Sequence, residues 1–433
     1  MAENYSELLQ LVSARTGIVR NIQPWNGGPA EPRPPILFQA RLSNFDFRVT
    51  EAEERATAGK GESEEEAITG ALGEAVERYC AAHYDPANTR MATHTSLGAD
   101  SISLDDFVLY SDAQYSRPGF PFKRYSPDLP IRWTAARTLL DNEPVLVPAL
   151  LVSVNPAALA EGYCGMNSSG LAAGQDLDAA TLSGLCESVE RDAFLLTWMN
   201  RLPVPEVLCE DLPIIAQMAR HYSRYGIELR IFDITSDLEI PAMMGVAIDR
   251  TGAGPAAVVG LGCHLDPMEA ARKAAFEVCQ VHMIEAARHG IAGVTDASRG
   301  YEQVRTLLDH SGYFTLRERL MEFDFLLNSG RSVRLRSLPN RSRHTAEQNL
   351  EYCAQRLATA GCRAAVVDLT TPEFAEFSIR AVRVLVTGLQ PIHFGHGLER
   401  LGGARLYEVA HRMGYADRIR TSDDLNPCPH PLP

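Results

Sequence analysis

No run in this sequence stays apolar for long enough to cross a bilayer, and the amino-terminal MAENYSELLQLVSARTG lacks a basic segment followed by an apolar one. Neither a membrane span nor a secretory signal is read, and a reducing, cytoplasmic setting is expected. Cations are scarce: Lys and Arg total 41 against 55 Asp and Glu, a formal net charge of -14. Nucleic acids and anionic lipid surfaces are held by clustered Lys and Arg, so neither is an expected partner. The nine cysteines, an odd and scattered set without a Cys-x-x-Cys pair, give no disulfide framework and no zinc knuckle. Most stand in apolar runs, as small core residues do. Also missing are Gly-x-x-x-x-Gly-Lys-Ser/Thr, Gly-x-Ser-x-Gly and His-Glu-x-x-His. A P-loop, a hydrolase elbow and a zinc-protease helix are thereby excluded, and no serine is tied to a histidine and an acid.

What the sequence does hold is a repeat. Gly61–Arg78, GESEEEAITGALGEAVER, slides onto Gly174–Arg191, GQDLDAATLSGLCESVER, with Leu72 on Leu185, Glu74 on Glu187, Glu77 on Glu190 and Arg78 on Arg191. A glycine followed by proline-free, Ala/Leu-rich text predicts a loop entering a helix, where residues three apart share a face. Each otherwise apolar helix therefore carries an acidic stripe ending in Glu-x-x-Glu-Arg. A degraded third copy, His264–Gln280, puts Glu277 and Gln280 in the places of Glu74 and Glu77. Glu and Arg four residues apart are common on solvated helices and contribute only about 0.2 to 0.5 kcal/mol per pair. Two full copies and an echo, on helices too apolar for a surface, point instead to carboxylates converging on a divalent metal. Hard Mg2+ takes oxygen ligands and often arrives with nucleotide phosphates.

With 433 residues, 45% hydrophobic and 22% charged, the chain can bury a sizeable core in two or three domains or in one large unit. A short amphipathic helix carrying Leu8, Leu9, Leu11 and Val12 precedes WNGGPAEPRPP, read as a loop or linker, and ILFQARLSNFDF, read as a strand. In AGKG, Lys60 between glycines suits a flexible loop or an approach to phosphate equally. IRWTAARTLL and VLVPALLVSV form a hairpin signal around Asp141–Pro144. Asn167, Ser168 and Ser169, ahead of the second acidic helix, read as its caps, at a place that also suits an anion. Further strands are read in LRIFDITSDLEIPAMMGVAID, AAVVGLGCHL, CRAAVVDLT and AVRVLVTGL, with helices from Pro267 and Ala346. Hairpins mixed with helices argue for an α+β fold. His393 and His396 sit on a loop and read as satisfied polar residues rather than zinc ligands. Prolines at 427, 429, 431 and 433 make the terminus NPCPHPLP stiff and extended. Such a tail is usually disordered; this one, short and uncharged, also suits insertion into a groove.

Taken together, AGKGESEEEAITGALGEAVERY, SSGLAAGQDLDAATLSGLCESVERDAF, the Glu277/Gln280 helix, VDLTTPEF, VLVTGLQPIHFG and NPCPHPLP resemble the YcaO-domain family over nearly the whole chain. The alternating-proline terminus resembles its azoline-forming cyclodehydratase branch. The resemblance implies a YcaO-type α+β fold of mixed and antiparallel sheets with packed helices. It implies an N-terminal helix and linker over 1–55 and a catalytic domain over 56–433 that includes the tail 426–433. The implied reaction needs ATP and Mg2+: a Cys, Ser or Thr side chain of a ribosomal precursor peptide attacks the preceding carbonyl, the amide oxygen is phosphorylated, and phosphate leaves as a thiazoline or oxazoline forms. By the same resemblance Glu74, Glu77, Glu187 and Glu190 would hold Mg2+ and phosphates. Arg78 and Arg191 would contact phosphate or orient those carboxylates, and Glu277 with Gln280 would complete a nucleotide pocket that Lys60 and Ser169 border. Pro429, Pro431 and Pro433 would position catalytic groups. The chain departs from the family at Gly70, often serine, at Ser169, often asparagine, and at His282, often arginine. A separate leader-binding partner resembling a ubiquitin-activating enzyme, a homodimeric state and low activity alone are expected. Thioamide or amidine formation with an external nucleophile, and a catalytically weak peptide-binding scaffold, are the alternatives.

Overall fold

The structure is a computed structural model that describes residues 2–43, 56–291, 300–374 and 376–433. Its first helix, α1 (Ala2–Leu9), leads to β1 (Val19–Pro24), β2 (Ile36–Leu42) and β3 (Ala56–Gly61), an antiparallel three-stranded sheet. The strand read in ILFQARLSNFDF is therefore present to Leu42, and its last residues, from 44, lie outside the described residues. Because β2 pairs with β3 from Ile36/Gly61 to Arg41/Ala56, this sheet takes strands from both sides of position 55. AGKG is strand rather than loop, so Lys60 is held in register opposite Leu37.

Helix α2 (Glu64–Ala82) starts where the Ser63 hydroxyl accepts from the Glu66 amide at 3.2 Å. It buries Ala67, Ile68, Ala71, Leu72, Ala75 and Val76, a helical spacing that lays one apolar face on the sheets. Next come β4 (Arg90–Ala92), the expected hairpin β5 (Ile131–Thr138) and β6 (Pro144–Pro148), and β7 (Leu171–Gly174). Helix α3 (Leu177–Met199) is capped by Asp176, which accepts from the Ala179 amide at 2.7 Å. Asn167, Ser168 and Ser169 are thus not its caps: LAAG pairs with a strand near the C-terminus, so β7 intervenes between the serines and the helix.

Strand β8 (Glu206–Leu208) and helix α4 (Pro213–Ser223) precede β9 (Ile227–Asp233), β10 (Ala242–Asp249) and β11 (Ala257–Cys263). Helix α5 (Pro267–Arg288) has proline at its first position and Asp266 as cap. The chain ends through β12 (Ser332–Arg334), α6 (Ala346–Thr359), β13 (Ala364–Asp368), β14 (Arg380–Val386) and α7 (Arg405–Arg412). The second sheet runs β11-β10-β9-β8-β12, with β12 parallel to β8, and the third runs β4-β5-β13-β14-β7 with β6 on β5. This is the α+β arrangement of mixed and antiparallel sheets that the sequence predicts.

Helix α3 lies between the second and third sheets, and residues of both join it in the main core, including Phe194, Trp198, Val246, Val259, Val382 and Val384. Small strand residues let the motif helices approach. A Cβ on Gly59 would stand 1.8 Å from the Ala67 carbonyl of α2, and one on Gly260 would stand 2.3 Å from the Val278 amide of α5. Larger residues would push α2 off β3 and α5 off β11, displacing their acidic stripes. All nine thiols are free, and all but Cys209 are buried. No helix among the described residues is long and apolar enough to cross a membrane.

Candidate active site

The acidic stripes of α2, α3 and α5 face one another. Glu74 is fixed at both oxygens, accepting from the Ala58 amide of β3 at 2.9 Å and pairing with Arg78 at 3.4 Å. Lys60 reaches from β3 to α5, donating to Gln280 at 3.1 Å with Glu277 at 3.7 Å. On α3, Arg191 lies between Glu187 at 3.7 Å and Glu190 at 3.6 Å. The motif residues of three helices are thereby brought to one place.

Electrostatics couple the three stripes: Glu187 acts on Glu77, and Glu277 acts on Glu187 and Glu190. Burial and the neighbouring Glu187 push the Glu77 carboxyl well above its usual range, against Arg78. Burial raises Glu187 too, opposed by Arg191, a further arginine, Arg383, and Arg78. Burial lifts Glu190 to about 7 against Arg191, with Glu277 and Glu187 adding to the lift. Each carboxylate would be stabilised by more positive charge. The opposite need exists beside them: Arg191 Nη1 and Arg383 Nε and Nη1 are buried and make no hydrogen bond. Mg2+ with phosphate oxygens would offer a cation to the carboxylates and acceptors to Arg191. Among the described residues no three His, Cys, Asp or Glu side chains gather closely enough to enclose a metal by themselves. That suits Mg2+, which takes one or two carboxylates and completes its shell with phosphate and water.

Arg383 is a member of the site that the motifs do not reveal. It stands in the middle of β14, 3% exposed, and donates through Nη2 to the Asn167 carbonyl and side-chain oxygens, both at 3.0 Å. Its burial lowers its pKa to about 10 despite Glu187 and Glu77. The signal is present in AVRVLV, where one arginine interrupts an apolar strand. Asn167 is therefore an arginine acceptor as well as the acceptor for the Ser169 amide at 3.2 Å, while the Ser169 hydroxyl is buried without a partner. The residue after Arg191, Asp192, is fully buried and pairs with Arg405 of α7 at 2.9 Å, holding the end of the motif.

His282 is not beside Gln280. It turns to the other side of α5, where its Nδ1 meets Glu31 at 2.7 Å under the WNGGPAEPRPP segment, and Tyr222 donates to the same carboxylate at 3.2 Å. That segment is thus pinned by a buried carboxylate rather than running free. Gly70 and Gly73 line a cavity of about 820 Å³ that runs between α2 and α3 and includes Glu74 and Glu77.

The proline tail is buried. Cys428 to Leu432 are inaccessible and Pro433 is half-buried. Trp198 donates to the Cys428 carbonyl at 3.0 Å, and His310 contacts the His430 carbonyl at 2.8 Å. The His430 ring stacks on His310 at 4.1 Å and its Nε2 donates to the His393 carbonyl at 2.6 Å. His393 is accordingly a loop residue that grips the tail, though its own Nδ1 makes no hydrogen bond. Burial holds His430 neutral, and the charge of Arg191 adds to that effect, which places the tail within electrostatic reach of the second motif.

The lifted Glu190 gives a pH signature. Its folded pKa exceeds the unfolded value, so its contribution to stability is complete below the unfolded pKa and is lost as pH rises through about 7. Without ligand, wild-type stability is expected to fall by about 1 kcal/mol more than that of Glu190→Gln between about pH 6 and about pH 8, as read by urea denaturation. Parallel curves for the two proteins would contradict the assignment.

A family model described as YcaO cyclodehydratase, ATP- and Mg2+-binding, matches residues 58–390. An uncharacterized protein of the tfuA 3' region of Rhizobium leguminosarum bv. trifolii is 30% identical over 380 residues, 82% of this chain and 80% of that protein. A heterocyclase solved in complex with substrate and cofactor is similar in structure with a TM-score of 0.81 and 26% identity, over 99% of this chain. This chain spans only 57% of that heterocyclase. The YcaO protein of Methanopyrus kandleri, solved with AMPPCP and Mg2+, shares the fold at a TM-score of 0.62 and 22% identity over 90% of this chain and 91% of that one.

Proposed function

The chain belongs to the YcaO cyclodehydratase family, whose cofactors are ATP and Mg2+, and we propose that it converts Cys, Ser or Thr residues of a ribosomal precursor peptide to thiazolines or oxazolines. The observation that carries this reading is the set of carboxyls with raised pKa on the repeated helices beside Arg191 and Arg383, buried guanidiniums that each keep N–H groups without a hydrogen-bond partner. In the proposed reaction the substrate side chain adds to the preceding carbonyl carbon. The oxygen of that adduct accepts the phosphoryl group supplied by ATP; its C–O bond then breaks, releasing inorganic phosphate, and the amide nitrogen loses its proton as the C=N bond forms. The net products are ADP, phosphate and a peptide lighter by one water per ring.

This chain's residues divide the work. Of Glu74, Glu77, Glu187 and Glu190, one or two would bind Mg2+ directly, and Glu74, pinned by β3, would orient Arg78. Arg78 and Arg191 would neutralise phosphate oxygens, which is most of what phosphoryl transfer asks of a protein. Glu277 and Gln280 would complete the nucleotide pocket, which Lys60 and Ser169 border. The nucleophile belongs to the substrate, in keeping with the absence of a serine or cysteine elbow. Pro429, Pro431 and Pro433 would position catalytic groups, and the burial of Cys428 to Leu432 supports the azoline branch. The leader would be held by a separate ubiquitin-activating-enzyme-like partner, and the chain would act as a homodimer. With its partner and a Cys/Ser/Thr-rich precursor, the protein is expected to release phosphate from ATP as the peptide loses water. ATP turnover without any water loss, or product formation only with added sulfide or amine, would overturn the reading.

A further inference from the structure

Behind the nucleotide carboxylates lies a second feature that the reaction as described does not use. A small cavity of about 50 Å³ has Asn167, Ser169, Ser188, Arg383, Gln390 and Arg400 among otherwise apolar walls, more room than a single water needs. Two of these residues are guanidiniums, each 3% exposed. Arg400 donates to backbone carbonyls, Gly165 at 2.8 Å and Val108 at 3.4 Å, and Arg383 to Asn167. Neither forms an ion pair with a carboxylate among the described residues. Burying two like charges beside one another is costly; Glu187 and Glu77 offset this for Arg383 from the nucleotide side, and an anion in the cavity would offset it on the other. The donors for that anion are present and unused: Arg383 Nε and Nη1 and the Ser169 hydroxyl make no hydrogen bond.

We propose that this cavity is a subsite for a tetrahedral oxyanion, and that its ligand is the inorganic phosphate released when the azoline closes, received by Arg383, Arg400 and Ser169. Arg383 borders both compartments, since Glu187 and Glu77 act on it from the nucleotide side while its side chain lines the cavity. Phosphate leaving the peptide would be received by the paired guanidiniums of Arg383 and Arg400 and so clear the reacting centre before the nucleotide departs. The identity of the ligand rests on the function proposed above; the oxyanion site itself rests on the geometry alone.

The test uses the full chain and inorganic phosphate as the probe, titrated calorimetrically with and without saturating ADP and Mg2+. Phosphate is expected to bind in both conditions, and Arg400→Gln to weaken it by about tenfold or more, the loss of a charge-assisted contact, with ADP still bound. Should Arg400→Gln not fold, as judged by its melting curve, Arg400→Lys keeps the charge without the fork and is expected to weaken phosphate by about threefold or more. Phosphate that is displaced by ADP, or that binds the folded Arg400 variant as well as wild type, would overturn the subsite. Failure of the wild type to bind ADP would instead count against the proposed function, and leaves a separate reading of phosphate binding and its dependence on Arg400.

Discussion

Glu190→Gln and Glu187→Gln are each expected to weaken binding of Mg2+ and an ATP analogue by about 100-fold or more, since even residues behind the direct metal ligands typically contribute 10 to 100-fold. Titration of the analogue at fixed Mg2+ measures this directly. The ligand-free fold gives the control. In wild type, burial raises the pKa of both Glu187 and Glu190 against Arg191, and the acidic Glu277 adds to the rise in each. Glutamine has nearly the same shape and needs no proton, so the ligand-free variants are expected to melt at the same temperature as wild type near neutral pH or above it. A stability loss in place of an affinity loss would mean that the stripe is structural. Unchanged affinity in both variants would reduce the motif to a helix face and remove the basis of the nucleotide site. Glu65→Gln, on the first turn of the same kind of helix but exposed, is expected to change neither quantity.

The repeat that predicts this site was legible because it is local. Cap, apolar spacing and acidic stripe are all written within some eighteen residues of each copy, and α2, α3 and α5 form where that text places them. The strands were legible for the same reason: β9, β10, β11, β13 and β14 are apolar runs bounded by turns. What the text does not carry is the pairing of distant pieces. Asn167 reads as a helix cap until β7 is seen to pair with β14, which moves the cap to Asp176 and gives Asn167 to Arg383. His282 reads as a substitute for an arginine near phosphate, yet its partner Glu31 lies in a proline-rich loop near the other end of the chain. Arg383 could have been suspected, because a lone cation in a buried strand needs a reason. The reason itself, two carboxylates from helices far apart in sequence, appears only when the sheets assemble.

The tail is the part of the site where structure changes the experiment. Deleting Pro431–Pro433 as a block would also remove Leu432, which is 1% exposed and belongs to the main core, so that about 2 to 3 kcal/mol of burial would be lost with it. Deleting Pro433 alone, or extending the chain by one glycine, leaves Leu432 and the His310 and His393 clasp on His430 in place. Either change alters the end of the proline segment by one residue while its anchor stays fixed. A displacement of that size at a positioned group is expected to slow ring formation by about 100-fold or more. Binding of the ATP analogue and the melting temperature should remain close to wild type, because Glu74, Glu187, Arg191 and Lys60 are untouched. Mass spectrometry of the precursor over time reads ring formation, and calorimetry reads the nucleotide. Wild-type cyclisation by both altered proteins would assign the proline tail to packing alone.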